Sequence, residues 1–269
     1  MTNKSLLSAL TIASVGLGSR AFLKFLCANV KVAGLSRLLD ELERVRNEKG
    51  KGILTVSNHI SVVDEPLTWG ILPSSHFTRA RPMRWSLGAS DICFTNPLFS
   101  EFFRQGQVLE TFRGKGIRQE AVDRAIHLLN EGQWVHIFPE GKIAQPAHSN
   151  LRRFKWGVGR MLIEAEELPT ILPMWVTGFD QVMNESRGFP RFIPRPGKRI
   201  SVTFGESSKV QHRIDALRQG RTALRDRGEC DDELRATITR AVQEELEVLG
   251  AQVSGEVVAG VKEGKEKKE

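Results

Sequence analysis

Cysteine is scarce in this 269-residue chain: Cys27, Cys93 and Cys230 are the only three, and they lie far apart. That spacing supports neither a disulfide framework nor a Cys-x-x-Cys metal site, so the thiols are expected as isolated reduced side chains in or near the core. Motifs of several common chemistries are also missing. There is no Gly-x-x-x-x-Gly-Lys-Ser/Thr loop, which excludes a P-loop nucleotide site. No Gly-x-Ser-x-Gly elbow supports Ser61 as a nucleophile, and no His-Glu-x-x-His or comparable set offers a metal site. Gly16 and Gly18 fall in an apolar N-terminal stretch rather than after a strand, so they do not form a dinucleotide loop. No internal repeat is found. Neither a metal nor a cofactor is expected.

Acidic residues are absent from the first 39 positions, Asp40 being the first. Within that span Ser5 to Ser19 is uncharged and largely apolar, and Arg20, Lys24 and Lys31 follow. As a helix the apolar stretch reaches about 22 Å, short of a hydrocarbon core of roughly 30 Å. A segment lying in one leaflet, with its cations at the headgroups, fits better than a clean span. A mitochondrial targeting peptide and a secretory signal share these compositional features.

The rest has the composition of an ordinary globular protein, 40% hydrophobic and 26% charged with mean hydropathy −0.26, which argues against disorder and against a polytopic membrane protein. The length suits one sizeable core or at most two small ones. A formal charge of +7 and a pI near 9.5 call for an anionic partner. On charge alone nucleic acid, an anionic lipid surface and a phosphate-bearing substrate all qualify.

Hydrophobic periodicity predicts a helix over Ser36–Glu48, short strands at Ile53–Val56, Trp85–Leu87 and Gln107–Thr111, and an amphipathic helix at Gln119–Asn130. Pro66 opens a helix reaching Leu72, where its missing N–H costs nothing. Further strands are expected at Trp134–Phe138, Thr170–Val176 and Ile200–Phe204, and helices at Gly157–Glu167, His212–Arg227 and Asp231–Leu249. Alternating strands and helices predict a single α/β domain with a mainly parallel mixed sheet flanked by helices. The expected organisation is a membrane-associating segment over 1–35, that domain over 36–250, and a charged tail without fixed structure over 251–269. In such sheets chemistry gathers in loops beyond the strand ends.

Three segments have that placement. In S-N-H-I-S-V-V-D-E-P (Ser57 to Pro66), His59 and Asp64 would not share a face of one continuous helix. A strand ending near Ser57 and a helix starting near Asp64 let the imidazole fold back over the helix start. There the carboxylate would orient a general base. Alone, the segment equally admits Asp64 as an N-cap and His59 as a loop histidine bonded to backbone. In W-V-H-I-F-P-E-G-K (Trp134 to Lys142), Glu140 could hold a substrate hydroxyl and Lys142 a phosphate, or the stretch is a β-turn with exposed charges. His136 points into or across the sheet and reads as structural. In T-F-R-G-K-G (Thr111 to Gly116), the glycines beside Arg113 and Lys115 make either a phosphate-binding cationic turn or an ordinary basic loop.

Taken in order, His-x₄-Asp, the Arg113–Gly114 turn, Phe-Pro-Glu-Gly and Ile171-Leu172-Pro173 resemble the glycerolipid acyltransferase family. The resemblance runs from about Leu54 to Leu249. It implies an acyltransferase in which His59 is the catalytic base and Asp64 its partner. Arg113 and Gly114, with Phe138, Pro139, Glu140 and Gly141, would bind the glycerophosphate part of the substrate, and Asn58 and Lys142 are counted with this substrate-binding set. Glu65 departs from the family, whose members often carry a second Asp there, and the region between Asp91 and Arg113 matches loosely.

Within the family, the Ser57–Leu72, Trp134–Lys142, Leu151–Arg160 and Ile171–Trp175 stretches look like the branch that remodels cardiolipin. Those proteins are phospholipid–lysophospholipid transacylases that need no coenzyme A. They work peripherally on mitochondrial membranes facing the intermembrane space. The resemblance thus implies phospholipid and lysophospholipid substrates, cardiolipin and lysocardiolipin among them, and no nucleic acid. It gives Lys24, Lys31, Arg153 and Lys155 a role on an anionic membrane surface. The rival readings are an acyl-CoA-dependent lysophospholipid or glycerol-3-phosphate acyltransferase, and a non-catalytic anionic-lipid-binding protein.

Overall fold

Strands buried on both faces read as continuous apolar runs, and the three central ones here do so. A computed structural model of the chain describes residues 6–48, 50–78, 83–145, 151–220 and 231–266, with side chains of the last helix through residue 255. Cys230 and the far end of the helix expected to reach Arg227 lie outside the described residues.

The elements run in the order α1 (Leu6–Leu26), β1 (Asn29–Ala33), α2 (Leu35–Asn47), β2 (Ile53–Ser57), α3 (Asp64–Thr68), a 3₁₀ turn (Trp69–Ile71), α4 (Ser75–Thr78), β3 (Trp85–Ala89), α5 (Ser90–Cys93), α6 (Pro97–Gln105), β4 (Val108–Thr111) and α7 (Glu120–Asn130). There follow β5 (Trp134–Ile137), α8 (Gly157–Glu164), β6 (Thr170–Thr177), α9 (Phe179–Val182), β7 (Arg199–Phe204), α10 (Ser208–Gln219) and α11 (Asp231–Glu266). One sheet has the order β1-β7-β6-β2-β5-β3-β4, and every pairing is parallel except β6 with β7. The expected mainly parallel mixed sheet is therefore what the chain forms.

Side-chain alternation splits the core into two layers. Leu54, Val56, Val135, Ile137, Ile171 and Trp175 face the layer that includes Val122, Leu162 and Leu246 of α7, α8 and α11. Ile53, Trp134, Leu172, Met174 and Val176 face the opposite layer, which includes Leu23 of α1 and Leu38 of α2.

The N-terminal segment differs from expectation. The helix continues through Arg20 and Lys24 for 21 residues, long and apolar enough by those criteria to cross a membrane, where the sequence suggested a shorter stretch. It docks on the domain through a narrow stripe of Ser8, Ile12, Gly16, Ser19 and Leu23. Two glycines permit the approach. A Cβ on Gly16 would lie 2.3 Å from the Phe77 ring, and one on Gly70 would lie 2.7 Å from the backbone of Ser19 and Arg20. Ser8 Oγ donates to the Gln105 carbonyl (2.7 Å) and Arg20 to the Leu72 carbonyl (2.8 Å). Leu6, Leu7, Leu10, Leu17, Phe25 and Leu26 remain on its outer side. Immediately after α1, β1 joins the sheet beside β7, so residues before 36 contribute to the domain. At the other end, α11 continues through Leu249 and Val253, both buried, past the position where a tail was expected to begin.

Candidate active site

Parallel register places the C-terminal ends of β2 and β5 side by side, Val56 opposite Ile137, so the loops that follow leave the sheet together. Asn58 pins the end of β2 to β6. Its side-chain amide donates to the Val176 carbonyl (2.9 Å), and its oxygen accepts from the Val176 N–H (2.8 Å). The chain then turns so that the start of α3 lies under the loop. One oxygen of Asp64, Oδ2, accepts three hydrogen bonds: from Ile60 N (2.6 Å), Ser61 N (2.8 Å) and His59 Nδ1 (2.9 Å). The predicted contact is present.

Asp64 is fully buried, and Oδ1 has no hydrogen-bond partner among the described residues. Burial pushes its carboxyl above the usual carboxylate range, while the His59 bond and the two amides pull the other way. A carboxylate oxygen receiving three N–H groups acts only as acceptor. The geometry therefore assigns the ring hydrogen of neutral His59 to Nδ1 and leaves the Nε2 lone pair for chemistry. His59 is partly exposed, whereas its partner is not. Ser61 Oγ turns away, donating to the Met183 carbonyl (3.3 Å).

Phe138, from the loop after β5, stacks on the His59 ring at 4.2 Å and 20°. The same Phe138 ring meets His136 edge-on at 4.6 Å. His136 is buried, with Nδ1 2.9 Å from Thr55 Oγ1, and Trp134 Nε1 donates to the same hydroxyl oxygen (2.9 Å). Burial above all drives its pKa down to about 3, so it remains neutral and structural.

Glu140 is not turned outward to a substrate. Oε1 accepts from the His59 backbone N–H (2.9 Å) and Oε2 from that of Arg152 (3.0 Å). Gly141 supplies the left-handed conformation (φ 68°) that closes this turn, with its N–H on the Phe138 carbonyl. The Pro139 carbonyl receives Lys155 N–H, so Arg152, Arg153 and Lys155 flank the turn, and their side chains and that of Lys142 are exposed. Glu140→Ala is expected to cut turnover by about 10²-fold, the effect of displacing a catalytic group by roughly 1 Å, with little change in KM. Glu140→Gln, which keeps one acceptor, should fall between. A rise in KM at unchanged kcat would assign the carboxylate to substrate instead.

Arg113 and Gly114 leave the same edge of the sheet after β4, three strands from β2 and hence about 14 Å away at ordinary strand spacing. Arg113 is paired with Asp91 (2.8 Å) and exposed, and Gly114 has φ 80° with open space around it. Lys24 ends α1 and Lys31 lies on β1, at the opposite end of the sheet from β4. Two residues with no legible sequence signal complete the site. Arg84 holds Glu65 through both oxygens (2.7 and 2.8 Å), and this guanidinium overcomes the burial that would otherwise raise the Glu65 pKa. Gln145 donates to the carbonyl of Ile60, tying down the loop that carries His59.

The chain matches the family described as Acyltransferase over residues 32–177. It is 37% identical to tafazzin of Saccharomyces cerevisiae over 70% of this chain and 59% of that protein. It is 37% identical to taffazin of Dictyostelium discoideum over 66% of this chain and 62% of that one. It is also 39% identical to N-acylphosphatidylethanolamine synthase of Arabidopsis thaliana over 58% of this chain and 56% of that protein. The chain thus spans about three fifths of the length of these relatives. The match to the family covers more than half of the chain and includes both His59 and Asp64: the chain belongs to the acyltransferase family.

Proposed function

We propose that the protein is a phospholipid–lysophospholipid transacylase, with cardiolipin and lysocardiolipin among its substrates, that works at a mitochondrial membrane surface. The observation that carries this reading is the His59–Asp64 pair with Nε2 left free, set in a chain similar to tafazzins. His59 Nε2 takes the proton from a lysophospholipid hydroxyl as that oxygen attacks the ester carbonyl of a donor phospholipid. Asp64 holds Nδ1–H and stabilises the imidazolium. When the tetrahedral intermediate collapses, the imidazolium returns the proton to the departing glycerol oxygen. One lipid gains the acyl chain, the other becomes a lysolipid, and no co-reactant is consumed. Lys142, Arg152, Arg153 and Lys155 around the turn suit the phosphates of both lipids. Arg113 suits the same role from the far side of the edge.

Similarity to the N-acylphosphatidylethanolamine synthase supports a second acceptor, the amine of phosphatidylethanolamine, deprotonated by the same base. The test supplies protein, labelled phosphatidylcholine and lysocardiolipin without coenzyme A, with phosphatidylethanolamine as a parallel acceptor. Label is expected in cardiolipin. Absolute dependence on acyl-CoA would overturn transacylation, and transfer to phosphatidylethanolamine alone would favour the amine reading.

A further inference from the structure

We infer that the segment 184–198, between α9 and β7, seats the catalytic loop on an anionic lipid bilayer; this rests on the proposed action on membrane lipids and adds the contact surface. Its sequence is N-E-S-R-G-F-P-R-F-I-P-R-P-G-K. Phe189 is 90% exposed, Phe192 76% and Ile193 44%, and three large apolar side chains exposed within five residues are clustered as at an interaction site rather than scattered singly. Cations are interleaved with them. Arg187, Arg191, Arg195 and Lys198 stand against the single acid Glu185, a formal net charge of +3.

Among the described residues these charges are not spent on carboxylates. Arg187 donates to the carbonyls of Asn184 (2.6 Å) and Arg191, and Arg195 to that of Gly188 (2.9 Å). No ion pair of the four is found among the described residues. The guanidinium groups brace the loop while keeping their charge for an outside anion. Pro190, Pro194 and Pro196 cannot donate to a strand partner, which disfavours a sheet-edge contact. Aromatic rings set among cations match the interface of an anionic bilayer, where charged headgroups lie above apolar acyl chains.

Both ends of the segment are tied to working parts of the molecule. Met183, just before it, accepts from Ser61 Oγ, and Gln145 bridges the Ile60 carbonyl of the catalytic loop to Glu185 N (2.9 Å). At the far end Gly197 N donates to Leu26 O (2.6 Å), joining the segment to the end of α1, where Lys24, Phe25 and Leu26 are exposed. Hydrogen bonds therefore tie the segment at one end to the loop that carries His59 and at the other to the exposed end of α1.

The test uses the full chain in flotation with vesicles of phosphatidylcholine alone or with phosphatidylglycerol added. Phe189→Ser/Phe192→Ser should weaken binding to both at least tenfold, and Phe189→Trp/Phe192→Trp should retain it. Arg191→Gln/Lys198→Gln should weaken binding only to the anionic vesicles, by about fivefold per charge. Transfer between short-chain lipids below their aggregation threshold should be unchanged in all of these variants. Wild-type vesicle binding by both the Ser and Gln variants would overturn the inference, as would loss of short-chain transfer in the Ser variant at an unchanged melting temperature. A self-association lost in the Ser variant, with vesicle binding kept, would assign the face to a second copy instead. Wild-type protein that binds vesicles yet transfers no acyl chain would instead refute the function and leave the docking result standing.

Discussion

Replacing His59 with Ala is expected to reduce acyl transfer by about 10²–10⁴-fold while the protein remains folded. Among the described residues the imidazole has Asp64 as its one hydrogen-bond partner, and it is partly exposed, so its removal takes little from the core. Asp64 keeps its two backbone amides in the variant. The neighbouring histidine offers no substitute. His136 has Nδ1 against Thr55, and burial holds its pKa near 3, far too low for a useful base at neutral pH. Labelled-chain transfer measured beside a melting curve decides the matter. Turnover within a few fold of wild type would remove His59 from the chemistry.

Asp64 separates charge from scaffolding. Asp64→Asn keeps an oxygen for the Ile60 and Ser61 amides but removes the negative charge, and is expected to lower transfer by about 10²-fold or more. Its melting temperature should not fall, because the carboxylate it replaces is buried with Oδ1 unpartnered. Asp64→Ala should melt lower, since two buried amides then lose their acceptor at about 1–3 kcal/mol each. The sign with pH follows from the raised pKa. A carboxyl titrating above its unfolded value adds stability below that value and loses it as pH rises through the folded one. Wild type should therefore gain on Asp64→Asn as pH falls, the reverse of an ordinary ion-paired aspartate. A wild type that loses stability relative to Asp64→Asn on acidification would contradict this account.

What could be read from the sequence follows from how locally each signal is encoded. The central strands were legible because burial on both faces demands runs such as Ile-Leu-Thr-Val-Ser, and α7 because Val122, Ile126 and Leu129 fall on one stripe. The edge strand β1 was missed: its alternating Asn-Val-Lys-Val-Ala is largely exposed and directly follows a long apolar helix. The helix α6 also went unread, although Asn96 before Pro97 is a start signal, and Asn96 does accept from Phe99 N (3.0 Å). At the site, the His59–Asp64 contact could be argued because both partners sit on one loop. The direction of Glu140 could not. Its two amide partners come from residues 59 and 152, and only the sheet brings them together. Arg84 and Gln145 were invisible for the same reason.

The glycine-lined seat of α1 has a mechanical consequence. A hydrophobic arm on a linker would let a catalytic loop drift relative to whatever the arm holds. Here Gly70, which receives the backbone of Ser19 and Arg20, follows shortly after α3, whose first residue is Asp64. Helix and dyad therefore travel as one piece. On the proposed function, any depth that the outward leucines adopt in a surface would also set the height at which His59 meets an ester.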